Sequence, residues 1–395
     1  MRHLTYPATL LLGVCLVHSA GLGSAMAQTQ SEQPRFEQVA TFEHQVTGVT
    51  VARDGRIFVN FPRWTEDAPV SVAEVMKDGS IRPYPDEQWN AWRNARKDEL
   101  SPKDHFVCVQ SVIADQQGNL WALDPAAPAQ AHVVQGGPKL VKIDLASNRV
   151  VQTISFDETV APQGSYLNDV RFSPDGRFAF ITDSGVKGAI VVVDLQNGQA
   201  RRVLDGHPST QMEKDVQVKA DGQVLRQPDG RGVEFAADGI ALSPDGRTLY
   251  WQAIKGRTLY SIPTAALTDP QTAAGEVEAQ VKVVGENGVA DGLLITRRGD
   301  RMIVTAPEED ALKVRVLTGG RDSRPTVLVQ DRRLRWPDTL AEAPDGAVYF
   351  TTSRIQDSAF FKPDAPKSLP TQLWRIELGG TEATGSLNGP APTRP

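Results

Sequence analysis

One motif recurs six times along this chain: an apolar strand, a glycine-bearing turn, and a second apolar-aromatic strand. It reads VTVARDGRIFV (Val49 to Val59), VIADQQGNLWALD (Val112 to Asp124), VRFSPDGRFAFITD (Val170 to Asp183), IALSPDGRTLYW (Ile240 to Trp251), LLITRRGDRMIVTA (Leu293 to Ala306) and LAEAPDGAVYFTT (Leu340 to Thr352). The turn glycines, Gly55, Gly118, Gly176, Gly246, Gly299 and Gly346, recur roughly every 58 residues, a period that belongs to radial β architectures. Each turn closes a hairpin, because glycine tolerates the positive φ that such turns need.

A third strand follows most hairpins: KLVKIDL (Lys139 to Leu145), AIVVVDL (Ala189 to Leu195), TLYSIP (Thr258 to Pro263), LKVRVL (Leu312 to Leu317) and QLWRIEL (Gln372 to Leu378). A fourth is exemplified by RRVL (Arg201 to Leu204) after Asn197-Gly198. The spacing therefore predicts an all-β, six-bladed β-propeller with four-stranded blades over residues 36–378. Weak alternation in IVVVDL fits sheets packed on both faces. The last unit lacks a fourth strand of its own, so the N-terminal segment Phe36 to Glu43 is expected to supply it and close the ring. The long segments, among them Arg82 to Phe106, Asp205 to Ala237 and Ser353 to Thr371, all fall on the face of the second-to-third loops and blade connections. That face is expected to carry function.

Strand one of each blade is innermost, so its first residue faces the channel mouth. Aligning the repeats places Thr47, Gln110, Asn168, Asp238, Asp291 and Asp338 there. Carboxylates this close raise one another's pKa or recruit a cation, and oxygen donors of this kind suit Ca²⁺, Mg²⁺ or Mn²⁺. A second tier from the loops of the same face comprises Asn60, Asp124, Asp183, Ser184, Gln252, Glu308, Ser353 and Arg354. Gln110, Asn168, Asp183, Asp238, Asp291 and Asp338 are the candidate ligand-binding set. Trp89 and Trp92, in WNAWRN, pack on the propeller or form a stacking wall.

The first 27 residues read as a secretory signal: Arg2, an apolar core from Ala8 to Val17, and an Ala25-Met26-Ala27 cleavage site. The protein is thus expected in the periplasm or outside the cell, cut after Ala27, with residues 28–35 and 379–395 as disordered linker and tail. Only Cys108 remains as a mature cysteine, in the apolar run FVCVQSV, where a buried inert thiol is expected. With a formal net charge of −6 and no basic run, nucleic acid and membrane are not expected as partners, and a monomer is. His44, His105, His132 and His207 show no zinc spacing, and His207 is expected to anchor its loop. No G-x-S-x-G elbow, P-loop or dinucleotide fingerprint is present.

YLNDVRFSPDGRFAFITDSG (Tyr166 to Gly185), VVVDLQNGQARRVLDGHPS (Val191 to Ser209) and ADGIALSPDGRTLYW (Ala237 to Trp251), with WNAW, FVCVQSV and LWALDPAAP, resemble bacterial members of the major royal jelly protein / yellow family. The resemblance spans nearly the whole mature chain. It implies a six-bladed propeller, export and a small-molecule pocket at the channel mouth; family members include proteins linked to dopachrome conversion and others that bind amines or sterols without turnover. The chain is similar, more distantly, to gluconolactonases and the senescence marker protein. That resemblance implies one divalent cation held by Asn168 and Asp238, although the first-blade Glu of those proteins is replaced by Thr47.

Three functions follow as alternatives. The first is an exported protein that binds a small molecule in the acidic axial pocket. The second is a divalent-metal-dependent lactone or ester hydrolase of gluconolactonase type, with Asp238 or Asp291 as base. The third is an isomerase of indole-quinone compounds using His207 or Asp183. Whether the protein is an enzyme stays open at this point.

Overall fold

The computed structural model describes residues 34–64, 67–130, 132–364 and 366–378. The expected leader, the expected linker up to residue 33 and the expected tail from residue 379 lie outside the described residues. Six four-stranded antiparallel sheets are arranged as blades of a propeller, each ordered from its innermost strand outward. The innermost strands are Val49–Val51, Ser111–Ala114, Leu167–Phe172, Ala237–Leu242, Leu293–Ile295 and Pro337–Glu342, in blades 1 to 6. Two short α-helices, Ala265–Thr268 and Ala274–Glu278, five single 3-10 turns and a two-stranded hairpin, Lys219–Ala220 with Gln223–Val224, complete the regular structure of the described residues. Among the described residues no helix is long and apolar enough to cross a membrane.

The six repeat glycines all sit at φ between 70° and 87°, so each turn uses a conformation that costs other residues energy. In blade 3 the strands bury both faces. Ala179, Ile181, Val191 and Val193 pack toward Trp121 and Leu140 of blade 2, while Phe180, Ile190 and Val192 pack toward Ile240, Leu249 and Trp251 of blade 4. Both faces must therefore be apolar, which is why alternation is faint.

The expected closure is found. Phe36–Phe42 pairs antiparallel with Thr371–Ile376, from Phe36 opposite Ile376 to Phe42 opposite Thr371. The first strand of the chain is thus the outermost strand of the last blade, beyond Val348–Thr352 and Pro337–Glu342.

The loops of one face build their own apolar cluster. Trp64, Trp92, Val107, Cys108, Tyr166, Val216, Val218, Leu225, Trp336 and Ile355 pack together there, drawn from loops of blades 1 and 6 and from four of the blade connections. This cap covers the channel mouth.

Candidate functional site

The channel mouth is shaped by a defect in pairing. In blades 3, 4 and 6 the register between first and second strands slips between Leu167 and Val170, Ala237 and Ile240, and Pro337 and Leu340. These bulges fall on Asn168-Asp169, Asp238-Gly239 and Asp338-Thr339, where an extra residue re-aims the side chains. In blades 3, 5 and 6 a threonine on the second strand bonds the backbone of the entrance. Thr182 Oγ1 accepts from Asp169 N at 3.4 Å and donates to the Asp238 carbonyl of the next blade at 2.6 Å. Thr351 repeats this, accepting from Thr339 N at 3.2 Å and donating to the Thr47 carbonyl, which joins blade 6 to blade 1. Thr305 accepts from both Asp291 N and Gly292 N, at 3.2 and 2.8 Å.

Glycine at the second entrance position is a packing requirement. A Cβ on Gly239 would stand 2.0 Å from the Asp291 carbonyl oxygen, and one on Gly292 would stand 2.0 Å from that of Asp338. The backbone of each entrance lies directly on its neighbour, which draws the acidic side chains into one opening.

Five of the six aligned entrance residues, Gln110, Asn168, Asp238, Asp291 and Asp338, line a single cavity. Thr47 is buried beside it, its hydroxyl accepting from Asn60 Nδ2 at 2.9 Å. The space is about 20 Å³, room for roughly one water or one bare ion. Trp64, Tyr166, Phe235, Ile254 and Ile355 form its apolar wall. The acids come from blades 4, 5 and 6, the amides from blades 2 and 3, so the ring has an acidic half and a neutral half.

Burial pushes Asp238 and Asp338 well above the usual carboxylate range, with repulsion from Asp291 and Asp169 adding to it. Asp291 is pushed up to about 7, again chiefly by burial, and the Trp336 indole opposes the rise. Asp238 and Asp291 lie close enough for each carboxyl to act on the other's protonation, and two such groups cannot both carry full charge without a cation beside them. Asn168 Nδ2 donates to Asp238 Oδ1 at 2.5 Å, and Trp336 Nε1 donates to Asp291 Oδ2 at 2.6 Å. None of the three acids has an ion-pair partner among the described residues. Asp169 does: Arg171 Nη2 lies 3.4 Å from its Oδ2 and bonds across the channel to the Leu293 carbonyl at 3.2 Å.

Asp183 is a correction. It is fully buried away from the cavity wall, and its carboxylate accepts from Tyr166 N and Ser165 Oγ, both at 2.7 Å, Gly185 N at 2.9 Å and Arg202 Nη1 at 2.6 Å. It pins a loop, as Asp124 does in blade 2 by accepting from Val107 N, Cys108 N, Ala126 N and Lys139 Nζ. Of the second tier, Ser184 lines the cavity, and Gln252 donates to the Gly288 carbonyl at 2.7 Å, lacing blade 4 to blade 5. His207 Nδ1 accepts from Ser209 N at 3.1 Å and anchors its loop. Cys108 is fully buried, with its thiol pushed up to about 12 by burial. Sequence reasoning missed Tyr166, Trp64 and Trp336. Tyr166 OH donates to Gln110 Oε1 at 2.8 Å and accepts from Trp64 Nε1 at 2.5 Å, a relay that fixes the Gln110 amide. Tyr166 and Trp336 stand two residues before Asn168 and Asp338, a spacing that could have marked them.

The donors suit a hard divalent cation chemically, being oxygens throughout. Their packing does not close round one. Among the described residues no three acidic, His or Cys side chains are placed to hold a metal ion, Asn168 turns its Nδ2 toward Asp238, and Thr47 stands where blade 1 would need an acid.

Among curated proteins, the chain is 22% identical to major royal jelly protein 5 of Apis mellifera over 258 residues, 60% of this chain and 40% of that protein. It is 32% identical to hydrazine synthase subunit beta of Kuenenia stuttgartiensis over 110 residues, 27% of this chain and 25% of that protein. The chain thus spans well under half the length of either relative. Its fold is shared with a luciferin-regenerating enzyme, at a TM-score of 0.51 and 10% identity over 87% of this chain and 95% of that one. A gluconolactonase from Xanthomonas campestris gives 0.51 and 12% over 88% and 90%. Residues 107–364 match the model of the major royal jelly protein family, to which this chain belongs.

Proposed function

We propose that the protein is an exported, monomeric binding protein whose axial cavity takes a small molecule by its positively charged group. The observation that carries this reading is the convergence of Asp238, Asp291 and Asp338, all buried, in one cavity without an ion-pair partner among the described residues. Such a group of acids stays ionised only beside a cation, and otherwise keeps protons. The indole and phenol rings of Trp64 and Tyr166 add faces that favour a cationic guest. The amides of Gln110 and Asn168 on the opposite half fix orientation. Family membership and the Ala25-Met26-Ala27 leader support the pocket and its location outside the cytoplasm.

A divalent cation would fit the same acids only if the Asn168 amide turned to present Oδ1, so it is tested beside the organic cation. Hydrolysis of a lactone or ester draws no support from blade 1, where Thr47 supplies no charge. Thermal shift and calorimetry at pH 8 test the reading. The probes are CaCl₂, MgCl₂, phenethylammonium chloride and its neutral analogue phenethyl alcohol. The cations should raise the midpoint through mass action and the alcohol should not. Equal response to amine and alcohol, or none to any cation, rejects it.

A further inference from the structure

A cavity of about 20 Å³ admits an organic guest only if its cover moves. One part of the cover is a short hairpin of the blade 3–4 connection, Lys219–Ala220 paired with Gln223–Val224, which forms a sheet of its own outside the six blades. Its apolar side chains, Val216, Val218 and Leu225, belong to the same buried cluster as Trp64, Tyr166, Ile254 and Ile355 of the cavity wall. Its tip is held by ions. Arg335 clasps Asp221 with both arms, Nη1 to Oδ1 at 2.7 Å and Nη2 to Oδ2 at 3.0 Å. Glu308 Oε1 accepts from Lys219 N at 2.9 Å. Arg335 also bonds Asp357, which in turn holds Lys362 Nζ at 2.5 Å.

The corner that Arg335 belongs to is strained and under-bonded. Trp336 and Arg354 both adopt left-handed backbone, φ 52° and 53°. They face each other through Ser353 N to the Trp336 carbonyl at 3.1 Å and Arg354 N to the Arg335 carbonyl at 3.3 Å. Arg354 Nε and both ends of the Gln356 amide are buried without a hydrogen-bond partner among the described residues. Strain and unmet polar groups of this kind persist where surrounding contacts hold an arrangement that is not the sole low-energy one. The same corner touches the acids through Trp336 and Asp291.

We propose that the 219–224 hairpin is the gate of the axial site, with Arg335–Asp221 as its latch. This rests on the binding reading above for its ligand, but its motion can be measured without one. Hydrogen exchange followed by mass spectrometry on the mature protein compares wild type with Asp221→Asn. Peptides spanning 216–225 should exchange roughly two- to fivefold faster in the variant, the scale of one exposed ion pair. Strands of blade 3 should be unchanged. Raising NaCl to about 1 M on wild type should act in the same direction, because exposed charge pairs are screened, and this arm holds even if the variant does not fold. Stopped-flow tryptophan fluorescence with phenethylammonium chloride should then show association and dissociation accelerated by the same factor in the variant, with Kd unchanged. Unaltered exchange in both arms overturns the gate. So does faster exchange with unaltered binding rates. If the amine does not bind wild type at all, the binding reading fails, and the gate stands or falls on exchange alone.

Discussion

Trp336 donates its indole N–H to Asp291 Oδ2 across 2.6 Å from a backbone held at φ 52°. A bulky residue in left-handed backbone is rare, and here it carries a neutral donor that stabilises an ionised Asp291. The cap above and the acids below are thereby joined through a single side chain.

Trp336→Phe keeps the apolar contact and deletes that donor. Without it the Asp291 carboxyl rises further above about 7. A hydrogen bond to a charged group is worth about 1.5–3 kcal/mol, and it weakens to that of a neutral acceptor once Asp291 is protonated. Urea denaturation should therefore show a loss near that size at pH 8 and a smaller one at pH 5. Equal losses at the two pH values would mean that the indole acts by packing alone.

The acids make the guest-free protein less stable as pH rises. Asp291 has a folded value of about 7 against 3.8 for the free carboxyl, so between those values the folded chain binds more protons than the unfolded one. Stability from this group is full below about pH 4 and drains away as pH rises through 7. Asp238 and Asp338 act with the same sign. A bound cation replaces the missing protons, so CaCl₂ or phenethylammonium should raise the melting midpoint more at pH 8 than at pH 5. Asp238→Asn should stabilise the guest-free protein at pH 8 and have little effect in acid, since burial holds the Asp238 carboxyl well above its usual range. The new amide can still accept from Asn168. The same change should weaken cation binding. A variant less stable than wild type at pH 8 would show that Asp238 is not held against its charge.

The blades were legible because Gly55, Gly118, Gly176, Gly246, Gly299 and Gly346 mark a local necessity, positive φ in a tight turn, that needs no tertiary knowledge. The ring was legible because strand-one entrances are equivalent by repetition, so Asn168, Asp238, Asp291 and Asp338 could be aligned without coordinates. Asp183 was misplaced for a physical reason. Its chain position shows that it ends strand two, but not that Arg202, on the fourth strand, reaches it with Nη1 at 2.6 Å. The cap was invisible because Trp64, Tyr166 and Trp336 meet only through the ring's closure, and their contacts obey no sequence period.

Packing at the entrances gives a sharper test than chemistry. Gly239→Ala drives a methyl onto the Asp291 carbonyl and Gly292→Ala onto that of Asp338, each at 2.0 Å from backbone that cannot rotate away. Overpacking costs about 1–3 kcal/mol or more, and here it also spreads the acids. Both variants should lose stability in urea and lower Asp291's pKa, read by carboxyl carbon NMR. Gly275→Ala, in the helix Ala274–Glu278 with open space around it, should instead gain up to about 1 kcal/mol. If the entrance variants prove as stable as Gly275→Ala, the tight ring is not what gathers the acids.

Closure of the ring by the first strand predicts an uneven response along that strand. Phe42 lies at its inner end, buried with Leu373 and edge-on to Phe61 of blade 1 at 5.4 Å. Phe36 lies at the other end, half-buried against Trp374 at 5.8 Å. Phe42→Ala removes a contact that joins two blades and should cost about 3–5 kcal/mol, as full truncation of a buried ring does. Phe36→Ala should cost about 1 kcal/mol or less, since its ring keeps access to water. Because the strand is contributed from the far end of the chain, the loss at Phe42 should appear mainly as faster unfolding, with the refolding rate of the other five blades little changed. Chevron analysis of both variants decides it. Equal costs at the two ends would mean that the strand merely lies on the last blade rather than locking it to the first.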